Sequence, residues 1–189
     1  LDMRITNVTD SASTIDLKGR FNPFSKAIDM RLDLTSIGLQ TFQPFLGGTL
    51  EAVEGHVDLG LGLEGTLNAP EVNGFIALQD ASAIVSRTKT RYHTSDVVRI
   101  SDNDLYLDAF AITDENGSKL TAEGSILTNG FSGFDLDLRL QADNFNFLST
   151  TRFDNEQFYG DIYATATASI TGPVDQMHIR ATANTEKFT

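Results

Sequence analysis

The stretch GLGLEGTLNAPEVNGFIAL, Gly60 to Leu78, decides the fold because it supports two incompatible readings. Gly60, Gly62 and Gly65 spell G-x-G-x-x-G, the pattern whose glycines let a backbone approach a pyrophosphate at a helix N-terminus. Such a fingerprint has to follow a strand and open a helix. Here the glycines fall inside an alternating run, Val57, Leu59, Leu61 and Leu63, and Thr66-Leu67-Asn68-Ala69-Pro70 after them is a turn. The stretch is therefore a strand, a turn marked by Pro70, and a second strand carrying Val72, Ile76 and Leu78. Glycine within such strands permits curvature or the close approach of a neighbouring backbone.

The same period of two recurs along the chain. Phe134, Leu136, Leu138, Leu140 and Ala142 alternate with Asp135, Asp137, Arg139 and Gln141, and Ile28, Met30, Leu32 and Leu34 alternate with Asp29, Arg31 and Asp33. Shorter runs occur at Ile15 and Leu17, at Leu105 and Leu107, at Leu120 and Ile126, and from Ile162 to Ile170. Asn116-Gly117 and Asn129-Gly130 lie between such runs and predict hairpins, so neighbouring strands are antiparallel. A nine-residue strand of this kind spans about 30 Å, apolar on one side and wet on the other.

Composition excludes several classes of function. With 14 Lys+Arg against 26 Asp+Glu and a net charge of -12, the chain repels nucleic acid and anionic membrane surfaces. There is no cysteine, hence no disulfide framework, thiolate metal site or Cys nucleophile. His56, His93 and His178 are scattered, without ligand spacing. Ser132 in GFSGF lacks the final glycine of G-x-S-x-G, and Asp102, Asp104 and Asp108 lack the loop and terminal Glu of a calcium site. No metal, cofactor or catalytic residue is expected. No signal peptide or apolar run long enough for a transmembrane helix occurs, and an opening at Leu1 reads as a fragment of a longer protein.

At 189 residues the prior is one structural unit, 1–189, and that unit resembles itself. Gly19 with Gly124, Leu34 with Leu140, Gly55 with Gly160 and Gly65 with Gly172 are pairs about 106 residues apart, a near-duplication of 15–80 and 119–183. Each half carries an aromatic insert, SIGLQTFQPFLGG or NFNFLSTTRF, with room for a short amphipathic helix. Ile37, Phe42, Phe45 and Leu46 in one, and Phe145 and Leu148 in the other, are expected to turn toward the sheet and plug its end.

LEGTLNAPEVNGFIALQDASAIV resembles the glycine, Pro, glycine-strand unit of the TamB C-terminal family, part of the AsmA-like group. LTAEGSI with FDLDLRLQADNFNFL, and YGDIYATATASITGPVDQMHIRATA, resemble the family's following units, so the resemblance covers residues 15 to 183. It implies a periplasmic β-rich protein held in the inner membrane by a segment absent from this chain. It also implies phospholipid or another amphiphile as cargo, and a BamA-type, TamA-like outer-membrane barrel as partner. No catalytic motif comes with it.

The expected fold is all-β: a curved antiparallel sheet forming an open trough or partly closed barrel with an apolar interior and short helical inserts. The expected function is a non-enzymatic conduit for lipid or platform for unfolded outer-membrane strands. Its contact residues are Ile28, Met30, Leu32, Leu34, Val57, Leu59, Leu61, Leu63, Leu107, Phe134, Leu136, Leu138 and Leu140. A sealed β-sandwich, structural or adhesive, is the alternative, since apolar faces are usually buried. A transmembrane barrel fits poorly, with no Trp and no aromatic girdle.

Overall fold

The computed structural model describes residues 2–8, 13–46, 48–128, 130, 133–154 and 159–188. Twelve strands are formed there: β1 (Asp2–Val8), β2 (Thr14–Phe21), β3 (Ala27–Gly38), β4 (Leu50–Thr66), β5 (Ala69–Val85), β6 (Thr90–Thr94), β7 (Val97–Ser101), β8 (Asp104–Asp114), β9 (Lys119–Leu127), β10 (Asp135–Thr150), β11 (Gly160–Pro173) and β12 (His178–Phe188). A single antiparallel sheet holds all of them, in the order β1-β2-β3-β4-β5-β6-β8-β9-β10-β11-β12, with β7 pairing with β5 and β8. The G-x-G-x-x-G stretch is strand, as its alternation requires. Among the described residues no second sheet covers the first, so the sandwich alternative does not hold, and β1 and β12 remain edges, so the barrel is not closed.

Turn chemistry sets the neighbours. Asp102 and Asn103, both at positive φ (52° and 73°), make the two-residue connection of β7 to β8. That hairpin accounts for the acidic SDNDLYLD group. Between β8 and β9 the connection is four residues long: Gly117 takes φ 81°, and its N–H donates to the Asp114 carbonyl.

A line of bulges crosses the sheet. In β3, β5, β8 and β10 one residue takes a left-handed backbone: Ser36, Asp80, Ala109 and Asn144. The apolar residues bracketing each are three apart and not two: Leu34 and Ile37, Leu78 and Ala81, Leu107 and Phe110, Ala142 and Phe145. The pairing register shifts at these places, while Ile37 still pairs with Val57, Phe110 with Ala122 and Phe145 with Ala164. The inserted residue therefore bends the strand without moving its apolar side chains to the other face. Between β6 and β7 the same line passes through Ser95 and Asp96, where the strand is interrupted.

Side chains take over the hydrogen bonds that the bulges free. Asp58 accepts from the Ser36 N–H at 2.6 Å and from the Gln79 amide. Ser95 Oγ accepts from the Asp80 N–H (2.9 Å), Asp96 from the Val97 and Ala111 N–H groups (2.7 and 2.9 Å), and Thr165 Oγ1 from the Asn144 N–H (3.1 Å). A buried amide left without a partner costs about 1–3 kcal/mol, and the contacts to the part-buried Ser36 and Ala111 amides are the ones this bears on most.

Beyond the seam the sheet curls until β6 meets β10. Tyr92 stacks on Phe145 with ring centroids 5.0 Å apart, and its hydroxyl donates to the Asn146 carbonyl at 2.9 Å. The Ser149 N–H donates to the Thr88 carbonyl (2.9 Å), and buried Asp114 accepts from the N–H groups of Asn116, Ser118 and Asn146, each at 2.9 Å. Burial pushes the Tyr92 phenol above its usual range, so this closure carries no tyrosinate at neutral pH. The interior holds Val53, Ala81, Phe110, Ala122, Ala142, Phe145 and Ala164, all buried.

Three expectations need correcting. The second aromatic insert is no helix: β10 runs through Phe145 and Leu148, and the bulge at Asn144, not a change of secondary structure, brings Phe145 inside. In the first insert a 3-10 helix forms, Leu39–Phe45, but it has no buried residue and Phe45 is 86% exposed, so it plugs nothing. Strands are also longer than the alternation suggests. β4 and β5 run 17 residues each, about 55 Å at ~3.3 Å per residue, because bulges interrupt the period of two without ending the strand. The expected turn at Asn129-Gly130 lies partly outside the described residues.

Glycine has its use where strands approach closely. A Cβ on Gly74 (φ 153°) would run into the Gly60 carbonyl, and one on Gly124 (φ 133°) into the Asp137 carbonyl. On the other side of β4 the Phe75 ring lies over Gly60 and covers its bare backbone.

If the seam is held as described, Ala109→Gly relieves a left-handed alanine and raises stability by about 1 kcal/mol, whereas Ala111→Gly in the same strand lowers it by about 0.5–1 kcal/mol. Asp96→Ala, which strands the Ala111 N–H, costs about 1–3 kcal/mol. Urea denaturation of the three variants measures all of these.

Candidate functional site

Short of the seam, the apolar face is carried in rows that cross the sheet. One row follows the pairing register from Ile15 through Leu34, Leu59, Ile76, Val98 and Leu107, past Gly124, to Leu138, Ile170 and Ile179. A second runs from Leu17 through Leu32, Leu61, Gly74, Ile100, Leu105 and Ile126 to Leu136. Residues opposite each other in a pair share a face, so each row is a continuous apolar line. With strands about 4.8 Å apart, the longer row extends roughly 45 Å.

Burial distinguishes this face from the curled end. Met30, Leu32, Leu34, Leu59, Leu61, Leu63, Leu107, Leu136, Leu138 and Leu140 are half-buried: their flanks touch neighbours and their tips reach solvent. A sealed core would bury them, as the ring buries Phe145 to 2% exposure. Ile28 and Val57 are buried, Val57 at the seam itself. Phe134 lies just before β10 and is 48% exposed, outside the rows. The structure thus brings twelve of the thirteen sequence-predicted residues together on one side. Ile76, Val98, Ile100, Ile126 and Ile170 belong with them. Alternation marks most of these, while Val98 and Ile100 sit in a five-residue strand too short to show a period.

The opposite face is a charged lattice. Arg20 bonds Asp29 at 2.7 Å, Arg31 bonds Asp33 at 2.8 Å, and Lys18 lies 3.4 Å from Asp16 and 3.9 Å from Asp33. Asp16 and Asp33, and Lys18 and Arg31, are directly opposed like charges in the register, and the pairs along each strand, with the diagonal Lys18–Asp33, relieve them. Exposed pairs add little stability. They do keep one side of a long sheet wet, which leaves the apolar side as the one available to a greasy ligand. His56, His93 and His178 are exposed and lie on β4, β6 and β12, and no group of metal-ligating side chains assembles among the described residues. No helix there is long and apolar enough to cross a membrane.

Fold and face together define a class: a bent, single-layered β-sheet with one apolar side left within reach of solvent. Residues 108–189, from within β8 to the end of the chain, match the family model of the TamB C-terminal domain. That similarity points to the cell envelope. The similar unit at LEGTLNAPEVNGFIALQDASAIV precedes the matched segment. No curated protein and no solved structure matches the chain significantly.

The difference in burial is measurable. Phe145→Ala opens the packed ring and costs about 3–5 kcal/mol, whereas Leu138→Ala removes a side chain already half in water and costs below about 2 kcal/mol. Equal losses in denaturant unfolding would mean that the two sites are equally sealed.

Proposed function

We propose that the chain is a non-enzymatic periplasmic conduit of TamB type, along which acyl chains of phospholipid or a similar amphiphile lie against the apolar rows. The observation that carries the reading is the row from Ile15 to Ile179, half-buried over most of its length and uninterrupted by charge. Each methylene taken from water onto it contributes about 0.8 kcal/mol when fully covered, enough for a chain to be held yet moved along the row. In this reading the protein is anchored in the inner membrane by a segment outside this chain and works with a BamA-type, TamA-like outer-membrane barrel. No side chain performs a chemical step. The edges at β1 and β12 favour a second mode, in which an unfolded outer-membrane strand adds to the sheet by backbone pairing.

Leu138 and Asp137 stand on opposite faces of β10 and test the conduit. In Leu138→Arg the arginine stem lies along apolar surface with its charge in water, so the fold survives while acyl chains are repelled. Asp137→Arg changes only the wet face. Thermal melting with fluorescent-lipid uptake is expected to give a folded Leu138→Arg protein without uptake beside a control with uptake intact. Unfolding of Leu138→Arg, as an unpaired charge in a sealed core produces, or equal uptake by both, contradicts the reading.

A further inference from the structure

The strand ends away from the ring carry a fringe of large apolar side chains in solvent. Phe24, in the β2–β3 turn, is 97% exposed, and Leu67, in the β4–β5 turn, is 57% exposed. Phe134, Val174 and Met177 project in the same way from the β9–β10 and β11–β12 connections at that end. Hydrogen bonds tie these tips to one another. Asn22 Oδ1 accepts from the N–H groups of Phe24 and Ser25 (2.9 and 3.2 Å), which fixes the turn, and the Leu67 N–H donates to the Lys26 carbonyl (3.1 Å), which joins the two turns. The Val174 N–H donates to the Phe134 carbonyl at 3.0 Å, joining the other two connections. The opposite end has exposed aromatics of its own, Phe45 and Phe153, but there Tyr92 stacks on Phe145 and brings β6 against β10.

We propose that this fringe is a contact surface for the interfacial layer of a zwitterionic phospholipid bilayer. Rigid turns that hold aromatic and aliphatic tips in water have no packing role within the chain, and such side chains favour the boundary between headgroups and acyl chains. The occupant follows from charge. Glu64, Glu71, Asp102 and Asp175 flank the fringe against Lys26 and Arg20, the latter bonded to Asp29, and the chain carries -12 overall, which repels an anionic surface. The fringe also borders the half-buried face along the strand ends, beside Ile28 and Leu63. A bilayer seated on it, if the rows carry acyl chains as proposed above, offers lipid an unbroken apolar path onto the sheet.

The chain has no tryptophan, so Phe24→Trp places a single reporter on the fringe and Phe45→Trp a control on the other end. With vesicles of phosphatidylcholine brominated in its acyl chains, the Phe24→Trp protein is expected to shift to the blue and be quenched, and the Phe45→Trp protein to do neither. Phe24→Ser with Leu67→Ser is expected to lower the vesicle-bound fraction at least about tenfold while solution uptake of single fluorescent lipids persists. That combination separates the fringe from the rows, since Leu138→Arg abolishes uptake and leaves the Phe24→Trp shift in place. No shift, an equal shift in both proteins, or a response only to anionic phosphatidylglycerol vesicles overturns the proposal. So does a shift without vesicles that grows with protein concentration, because a second copy of the chain then covers the fringe.

Discussion

Everything in this sheet depends on one geometric constraint: a strand that must bend sharply while keeping all its apolar side chains on one side. Side chains alternate at a period of two, so a plain kink or a one-residue slip would throw half of them into water. The inserted left-handed residue solves this four times over, at Ser36, Asp80, Ala109 and Asn144, and aligned across the sheet on β3, β5, β8 and β10 the insertions become a crease. Asp58, Ser95, Asp96 and Thr165 make that crease possible by bonding the amides it would otherwise orphan.

The crease also partitions the apolar surface. Beyond it the strands close far enough for Tyr92 to reach Phe145, and the interior packs dry with small residues, Ala81, Ala122, Ala142 and Ala164, that let the walls approach. Short of it the walls are too far apart to meet, and leucines and isoleucines remain half in solvent. One part of the sheet supplies rigidity and the other supplies surface. This division suits a carrier of flexible apolar chains, because the binding face is held in shape without being filled by the protein's own side chains.

Much of this was legible in the sequence, for a physical reason: a half-buried strand must alternate, and Ile28 to Leu34 and Phe134 to Ala142 do so without error. The face was therefore assigned before the register was known. The crease was also written in the chain, as steps of three in place of two at Leu34 to Ile37, Leu78 to Ala81, Leu107 to Phe110 and Ala142 to Phe145. Read as the end of one strand and the start of an insert, those steps gave helices where Phe145 and Leu148 continue β10. What alternation does not carry is how far the sheet curls back on itself. That depends on contacts of β6 and β8 with β10, made by Tyr92 and by Asp114, a residue whose place before a turn gives no hint that it will be buried.

The absence of cysteine makes the partition directly measurable, since any introduced thiol is the only one. Single replacements Leu138→Cys on the rows, Asp137→Cys on the charged face and Ala142→Cys in the ring, alkylated with a maleimide under native conditions, report access at three neighbouring positions of β10. The bent, unsealed sheet predicts that Leu138→Cys reacts nearly as readily as Asp137→Cys and is protected by added phospholipid, while Ala142→Cys stays unreactive until the protein unfolds. A Leu138→Cys as protected as Ala142→Cys in the absence of lipid would contradict it.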